Sequence, residues 1–370
     1  MKLTYVHTAA VPSLAANAVQ VAKMCAAFQG EGVETTLVQP MGAGGTSSEI
    51  AVHFGLNTVF HGQKAPVLPI PGRELLFGVW AALRHRMNNG DVIYSRSASV
   101  GAAAVFVGQR FALEMHVPPS ALRPKVARRL GRIIASPHFV GIVAISYRLK
   151  AELERVYPAL NGRVFVAHDG AEVPGKVAPV QLAGAFRVGY VGQLYPGKGM
   201  EIIEALLPLC PWASFHIVGG SAIDVANWKE RTSGYGNIIF HGHVRHVDTG
   251  GYLEGMDVVL APYLRVVRGV GGGTQNLADW MSPLKIFEYL ARGKAVVATD
   301  LPVLREVLRD EENALLCAPE NIDDWARALT RLKDDDILRR QIALEGRNDF
   351  LSRYTWQQRA LAILDFISKN

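Results

Sequence analysis

Cysteine is scarce in this chain. Its 370 residues hold three, Cys25, Cys210 and Cys317, far apart and odd in number. That excludes a disulfide framework and a cysteine-built metal site, and it points to a reducing cytosol. Long apolar runs are also missing. No stretch approaches the ~20 residues that a membrane-spanning helix needs. The run at 100–107 is short and is followed by Gln109 and Arg110. The first residues carry one Lys and pass directly into a strand pattern, so no signal peptide is expected. Low-complexity tracts and short repeats are absent, and no Gly-x4-Gly-Lys-Ser/Thr phosphate loop occurs.

What remains is a globular composition, 49% hydrophobic and 19% charged. The length favours two or three domains. A net charge of +6 suits nucleic acid, an anionic membrane or phosphorylated ligands equally well. Short apolar runs at 2–8, 34–38, 91–95, 111–115, 140–145 and 163–167 read as strands, with helical patterns at 17–28 and from Ser99. The rhythm restarts with strands at 187–191, 214–218, 238–240 and 258–261 and a helix at 199–207. This alternation predicts parallel α/β sheets. Between the halves lies Val173-Pro174-Gly175-Lys176-Val177-Ala178-Pro179, a Pro/Gly-rich linker. The expected domains are 1–175, 176–352 and a terminal helix at 353–370 that packs back toward the first.

Two segments point to chemistry. Ser282-Pro283-Leu284-Lys285-Ile286-Phe287-Glu288-Tyr289 reads as a helix start, with Ser282 as N-cap and Pro283 in the first helical position. Gly293 stops it, and 295–299 follow as a buried strand. Such an N-terminus attracts anions, and Lys285 adds charge there. With Glu288 one turn on, the ligand implied carries a phosphate and a hydroxylated sugar. Val188-Gly189-Tyr190-Val191-Gly192-Gln193-Leu194-Tyr195-Pro196-Gly197-Lys198-Gly199 reads as strand, Gly-rich turn and helix start, with Lys198 placed to neutralise a phosphate.

Other candidates have plainer readings. His241, His243 and His246 lack a Cys or carboxylate to complete a metal set. Asp169, in His168-Asp169-Gly170, reads as a capping residue, and Glu306 as an ordinary helix residue. Ser13 and Asn17 read as helix caps or acceptor contacts. Arg123, Lys125, Arg128, Arg129 and Arg132 interleave with Leu122, Val126, Leu130 and Ile133, the pattern of a helix on an anionic membrane or of a solvated charged face. No nucleic-acid module or stacking aromatics accompany them.

Taken in order, Gly192 to Gly199, Val218-Gly219-Gly220, Phe240-His241-Gly242-His243-Val244, Asp257 to Tyr263 and Ser282 to Asp300 resemble the family 4 glycosyltransferases. So do Asp91 to Arg96, Glu114-Met115-His116 and Ala167 to Gly170. The resemblance implies a GT-B fold, with two Rossmann-like parallel-sheet domains facing across a cleft. It implies a retaining, metal-independent transfer from a UDP- or GDP-sugar to a saccharide or lipid-linked hydroxyl. That role fits cell-surface polysaccharide or glycolipid assembly in the cytoplasm, with the enzyme peripheral on the inner membrane face. No cofactor is implied. Lys198 would hold the diphosphate, Glu288 the ribose, and His116 would face the donor sugar and phosphate. Gly192, Gln193, Gly197, Gly219, Val244, Arg265, Gly273, Thr274, Ser282, Pro283, Leu284 and Lys285 would line the donor site. Ser13 and Asn17 would lie on the acceptor side.

Three positions depart from the family pattern. Trp280 stands where the first Glu of Glu-x7-Glu belongs, leaving Asp279 or the 271–275 loop to replace it. Gln193 replaces an Arg, whose charge Arg265 or Arg268 could supply, and Ala16-Asn17 replaces a Gly-Gly pair. Two alternatives remain open: a nucleotide-sugar binding protein without turnover, and a nucleotide-sugar epimerase of the same fold.

Overall fold

A computed structural model describes residues 1–13, 16–42, 44–67, 70–268 and 276–370. Among these the strands are β1 (Lys2–Val6), β2 (Glu34–Pro40), β3 (His61–Ala65), β4 (Val92–Ser95), β5 (Phe111–Met115), β6 (Phe139–Ala144) and β7 (Val164–Val166). They continue with β8 (Arg187–Val191), β9 (Ser214–Val218), β10 (Ile238–Gly242), β11 (Val258–Ala261), β12 (Ala295–Thr299) and β13 (Leu315–Cys317). The chain divides into two compact units. The first is Met1–Asp169 with Trp356–Asn370, and the second is Gly170–Thr355.

The first unit holds a sheet in the order β3-β2-β1-β4-β5-β6-β7, and the second a sheet in the order β10-β9-β8-β11-β12-β13. All pairings are parallel, for example Leu3 opposite Thr35 and Val92, and Val188 opposite Phe215 and Val258. Every residue of β4, β5 and β6 is buried, as a parallel sheet covered on both faces requires. Two strands among the described residues escaped the sequence reading: β3, with sequence HGQKA, a largely exposed sheet edge, and the three-residue edge strand β13. Each sheet reverses strand order once, between β1 and β4 and between β8 and β11. In open α/β sheets ligands bind beyond the carboxyl ends of the strands at such a point.

Local chemistry sets the helix ends, with one correction. The helix beyond β11 runs Leu284–Ala291, so Pro283 is the N-cap and Leu284 the first helical residue. Ser282 is buried one position earlier and is not the N-cap. Asn17 likewise lies inside helix Ala16–Gly30 rather than capping it. The terminal helix Trp356–Lys369 belongs to the first unit, where it packs on helix Ala16–Gly30 and β6. Its buried stripe is Trp356, Arg359, Ala360, Ile363, Phe366 and Ile367, and the guanidinium in that stripe is accounted for below.

Candidate functional site

In the second unit the turn after β8 folds against the end of β11. Gly199 has φ 100°, and a Cβ there would stand 1.8 Å from the Pro262 carbonyl oxygen, so only glycine permits this approach. The Leu264 amide donates to the Gly197 carbonyl at 3.1 Å, tying the turn to the chain beyond β11. The Tyr190 hydroxyl donates to the Gln193 carbonyl at 2.6 Å. The Val191 amide donates to the Tyr289 hydroxyl at 2.9 Å, which fixes helix Leu284–Ala291 beside the turn.

Two ammonium groups meet in this frame. Lys198 Nζ lies 5.1 Å from the ring centroids of both Tyr195 and Tyr263. Lys285 Nζ lies 3.7 Å from the Tyr190 centroid and 5.2 Å from that of Tyr263. The two cations therefore share the buried Tyr263 ring. Lys285 Nζ is buried and has no hydrogen-bond partner among the described residues. A Cβ at Gly192 would stand 2.9 Å from it, so the glycine opens the space beside the ammonium. Burial holds the Lys198 pKa down to about 8. Burial and then the neighbouring Lys198 push Lys285 well below the ordinary lysine range, with Glu288 acting in the opposite direction. Glu288 also lies 3.8 Å from His246 Nδ1. Two lysine side chains and one carboxylate thus gather at the reversal point of the second sheet.

The remaining donor-side candidates fall as follows. Gln193 is exposed, and the Gly219 amide donates to the Gly242 carbonyl at 2.7 Å beside the turn. Val244 is half-buried against the second unit's core. Arg265 is exposed and forms a two-point pair with Glu320, with Nη2 to Oε2 at 3.1 Å, and Arg268 is exposed. The Asn276 amide donates to Asp279 at 3.2 Å, and Asn276 Oδ1 accepts from the amides of Val267 and Ala278. Gly273 and Thr274, with the rest of 271–275, lie outside the described residues. Glu306 sits in the short 3-10 helix Leu304–Glu306. His241 Nε2 pairs with His216 Nδ1 at 3.0 Å.

In the first unit, His116 follows β5 and its Nε2 meets Glu114 Oε1 at 2.5 Å. Asp169 is buried 3.8 Å from Arg359 Nη2, an ion-pair partner where the sequence suggested a cap. Glu114, His116 and Asp169 offer ligand atoms within 4.8 Å of one another, the geometry of a metal set. Arg359 Nη2 also lies 3.2 Å from Glu114, so the guanidinium supplies the positive charge that a metal would bring. Arg359 and Gln20 went unnoticed in the sequence, and Tyr94 was given no role of its own within the segment Asp91 to Arg96. The available signal was an arginine in phase with the apolar stripe of the last helix. Ser13 and Asn17 are half-buried around the start of helix Ala16–Gly30.

Helix Pro124–Ile134 corrects the pattern expected of its basic cluster. Leu130, Ile133 and Ile134 are buried in the unit, so the helix has no free apolar face. Arg123, Lys125, Arg128 and Arg132 are exposed, while Arg129 donates to Ser99 Oγ at 2.6 Å. Among the described residues no helix is long and apolar enough to cross a membrane.

Known proteins share this architecture. The family described as glycosyl transferases group 1 matches residues 185–335, the segment that carries the cation pair. The structure of Anabaena HepE in complex with UDP superposes with a TM-score of 0.74 at 15% identity, covering 100% of both chains. Sucrose-phosphate synthase from Thermosynechococcus elongatus gives 0.73 at 16%, covering 100% of this chain and 98% of that one. The fold is GT-B. Phosphatidyl-myo-inositol mannosyltransferase of Mycolicibacterium smegmatis is 30% identical over 166 residues, 44% of this chain and 39% of that protein. Its Mycobacterium leprae counterpart is 26% identical over 261 residues, 68% of this chain and 62% of that protein. The chain thus spans less than two thirds of either relative. The matched family and these relatives support a transferase.

Proposed function

We propose that this chain is a retaining glycosyltransferase that moves a sugar from a nucleoside-diphosphate sugar to a hydroxyl acceptor. The observation that carries it is the half-buried Lys198–Lys285 pair around Tyr263, at the reversal point of the second sheet and inside the matched family segment. Departure of the diphosphate leaves negative charge, and the two lysines are already in place to stabilise it. Lys285 would supply the charge missing at Gln193, because its ammonium lies beside Gly192 while Arg265 pairs with Glu320. Glu288 would accept from the ribose hydroxyls, the backbone near Val244 would meet the base, and His116 would face the donor sugar. An oxocarbenium-like sugar would be attacked by the acceptor hydroxyl on the face the diphosphate leaves. The diphosphate oxygen can take the proton, so neither a protein nucleophile nor a metal enters the scheme.

UDP and GDP are the donor bases considered, and a saccharide or lipid-linked acceptor fits surface polysaccharide or glycolipid assembly. The basic face of helix Pro124–Ile134 would hold the protein to an anionic inner membrane surface by charge alone. At about 1 kcal/mol per residue near such a surface, its four exposed cations give reversible, salt-sensitive attachment. Sedimentation with anionic vesicles that persists in 0.5 M salt would count against it. The test of the reaction is the anomeric configuration of freshly formed product by proton NMR. An α-linked donor should give an α product, and an inverted product overturns the mechanism.

A further inference from the structure

Glu114 is the penultimate residue of β5, with none of its side chain exposed, and four groups meet its carboxylate. Oε2 takes the Tyr94 hydroxyl at 2.5 Å. Oε1 takes Gln20 Nε2 at 2.5 Å, Arg359 Nη2 at 3.2 Å and His116 Nε2 at 2.5 Å. Arg96 Nη1 donates to Gln20 Oε1 at 3.4 Å, which turns the Gln20 amide nitrogen toward Glu114. Burial acts to raise the Glu114 pKa, but Arg359 and the His116 hydrogen bond outweigh it and hold the carboxyl below its usual range. An ionised carboxylate only accepts, so every neighbour must donate, His116 Nε2 included.

The protonation of His116 follows. Burial and then the Arg96 charge lower its pKa, against Glu114 and Asp169 acting upward. Arg359 completes the charged groups around this cluster. The neutral ring with its proton on Nε2 leaves a lone pair on Nδ1. That nitrogen makes no hydrogen bond among the described residues, and the side chain keeps 17% exposure. A lone pair accepts from a hydroxyl and repels an ionised phosphate oxygen.

We propose that Glu114, anchored by Arg359, is a positioning residue that fixes His116 as the Nε2–H tautomer and offers its Nδ1 to a ligand hydroxyl as an acceptor. This rests on the reading that His116 faces the donor, and it narrows that contact to a sugar hydroxyl rather than the phosphate. The arrangement parallels metal-site histidines, whose second nitrogen is set by a carboxylate partner.

The test uses the full chain labelled with 15N-histidine, with the His116 signal assigned by its loss in His116→Gln. At pH 7 the expected spectrum has the proton on Nε2 and the shift of an unprotonated nitrogen at Nδ1. A proton on Nδ1, or an imidazolium, overturns the proposal. Glu114→Gln should mix the tautomers and lower turnover at least ~10-fold, as loss of an outer partner does elsewhere, while UDP or GDP affinity stays within about twofold. Unchanged tautomer and turnover in that variant would overturn the positioning role. Should Glu114→Gln fail to fold, the wild-type spectrum decides by itself. An Nε2–H tautomer in a chain that turns over no donor would refute the proposed function and leave the positioning by Glu114 standing.

Discussion

Replacing Lys198 by Met should make the protein more stable and its anion site worse. Lys198 is charged in the unfolded chain up to its ordinary pKa of 10.5, but burial holds the folded value down to about 8. Folding at pH 7 therefore carries a penalty for keeping this ammonium out of water. At about 1.4 kcal/mol per pH unit, the difference amounts to about 3 kcal/mol. The Tyr195 and Tyr263 ring contacts return ~0.5–1 kcal/mol each, leaving a net cost of about 1–2 kcal/mol. Met keeps the chain length and removes the charge, so the melting temperature should rise by roughly 2–8 °C, taking 2–4 °C per kcal/mol for a unit of this size. The sign also fixes a pH window. Below about 8 the penalty is constant; between about 8 and 10.5 the unfolded chain binds the extra proton and the penalty fades. Differential scanning calorimetry at pH 7 and pH 10 should show the variant's advantage shrinking. Equal or lower stability of the variant at pH 7, with nucleotide affinity intact, would refute the reading of Lys198 as a strained anion ligand.

Further outcomes follow from the same coordinates. Nucleoside-diphosphate affinity should fall as pH rises past about 8, where free Lys198 loses its proton; calorimetric titration across pH 7–9.5 reads this, and a flat profile counts against it. Glu288→Ala should weaken nucleoside-diphosphate binding by roughly 10–100-fold, the worth of charge-assisted hydrogen bonds of ~1.5–3 kcal/mol; unchanged affinity removes the ribose role. Gly199→Ala should cost about 2–4 kcal/mol in urea denaturation, because a positive φ and a clash with the Pro262 carbonyl coincide. Arg359→Ala should cost about 3–5 kcal/mol by leaving the buried Glu114 without its guanidinium counter-charge. Glu114's depressed pKa supplies stability that is present above about pH 4.5 and lost as pH falls below it. The variant should lose less between pH 7 and pH 4 than the wild type does.

The parallel sheets were legible because their strands are buried on both faces and so appear as short unbroken apolar runs. β5, β8, β9, β11 and β12 fall within the very residues those runs mark. Polar β3 left no such trace, since an edge strand is held by backbone pairing and needs no apolar pattern. The Pro283 cap was misplaced by one residue because Ser282 and Pro283 both suit a helix start, and packing decides between them. Of the candidate site, the glycine turn could be read from its residues, with Lys198 at its end and Lys285 as added charge. That the Lys285 ammonium lies beside Gly192 and shares a ring with Lys198 depends on the parallel pairing of β8 with β11, which no local pattern encodes. Arg359 was hidden for a related reason: its partners Glu114 and Asp169 lie far from it in sequence, and only the return of the last helix to the first unit joins them.

The most direct measurement is a titration with UDP, GDP, dTDP and ADP in EDTA, followed by calorimetry, on the wild type and on Lys198→Ala. The account predicts metal-free binding of UDP or GDP that is largely lost in the variant. Failure of every nucleotide to bind, or equal affinity in the variant, would contradict it.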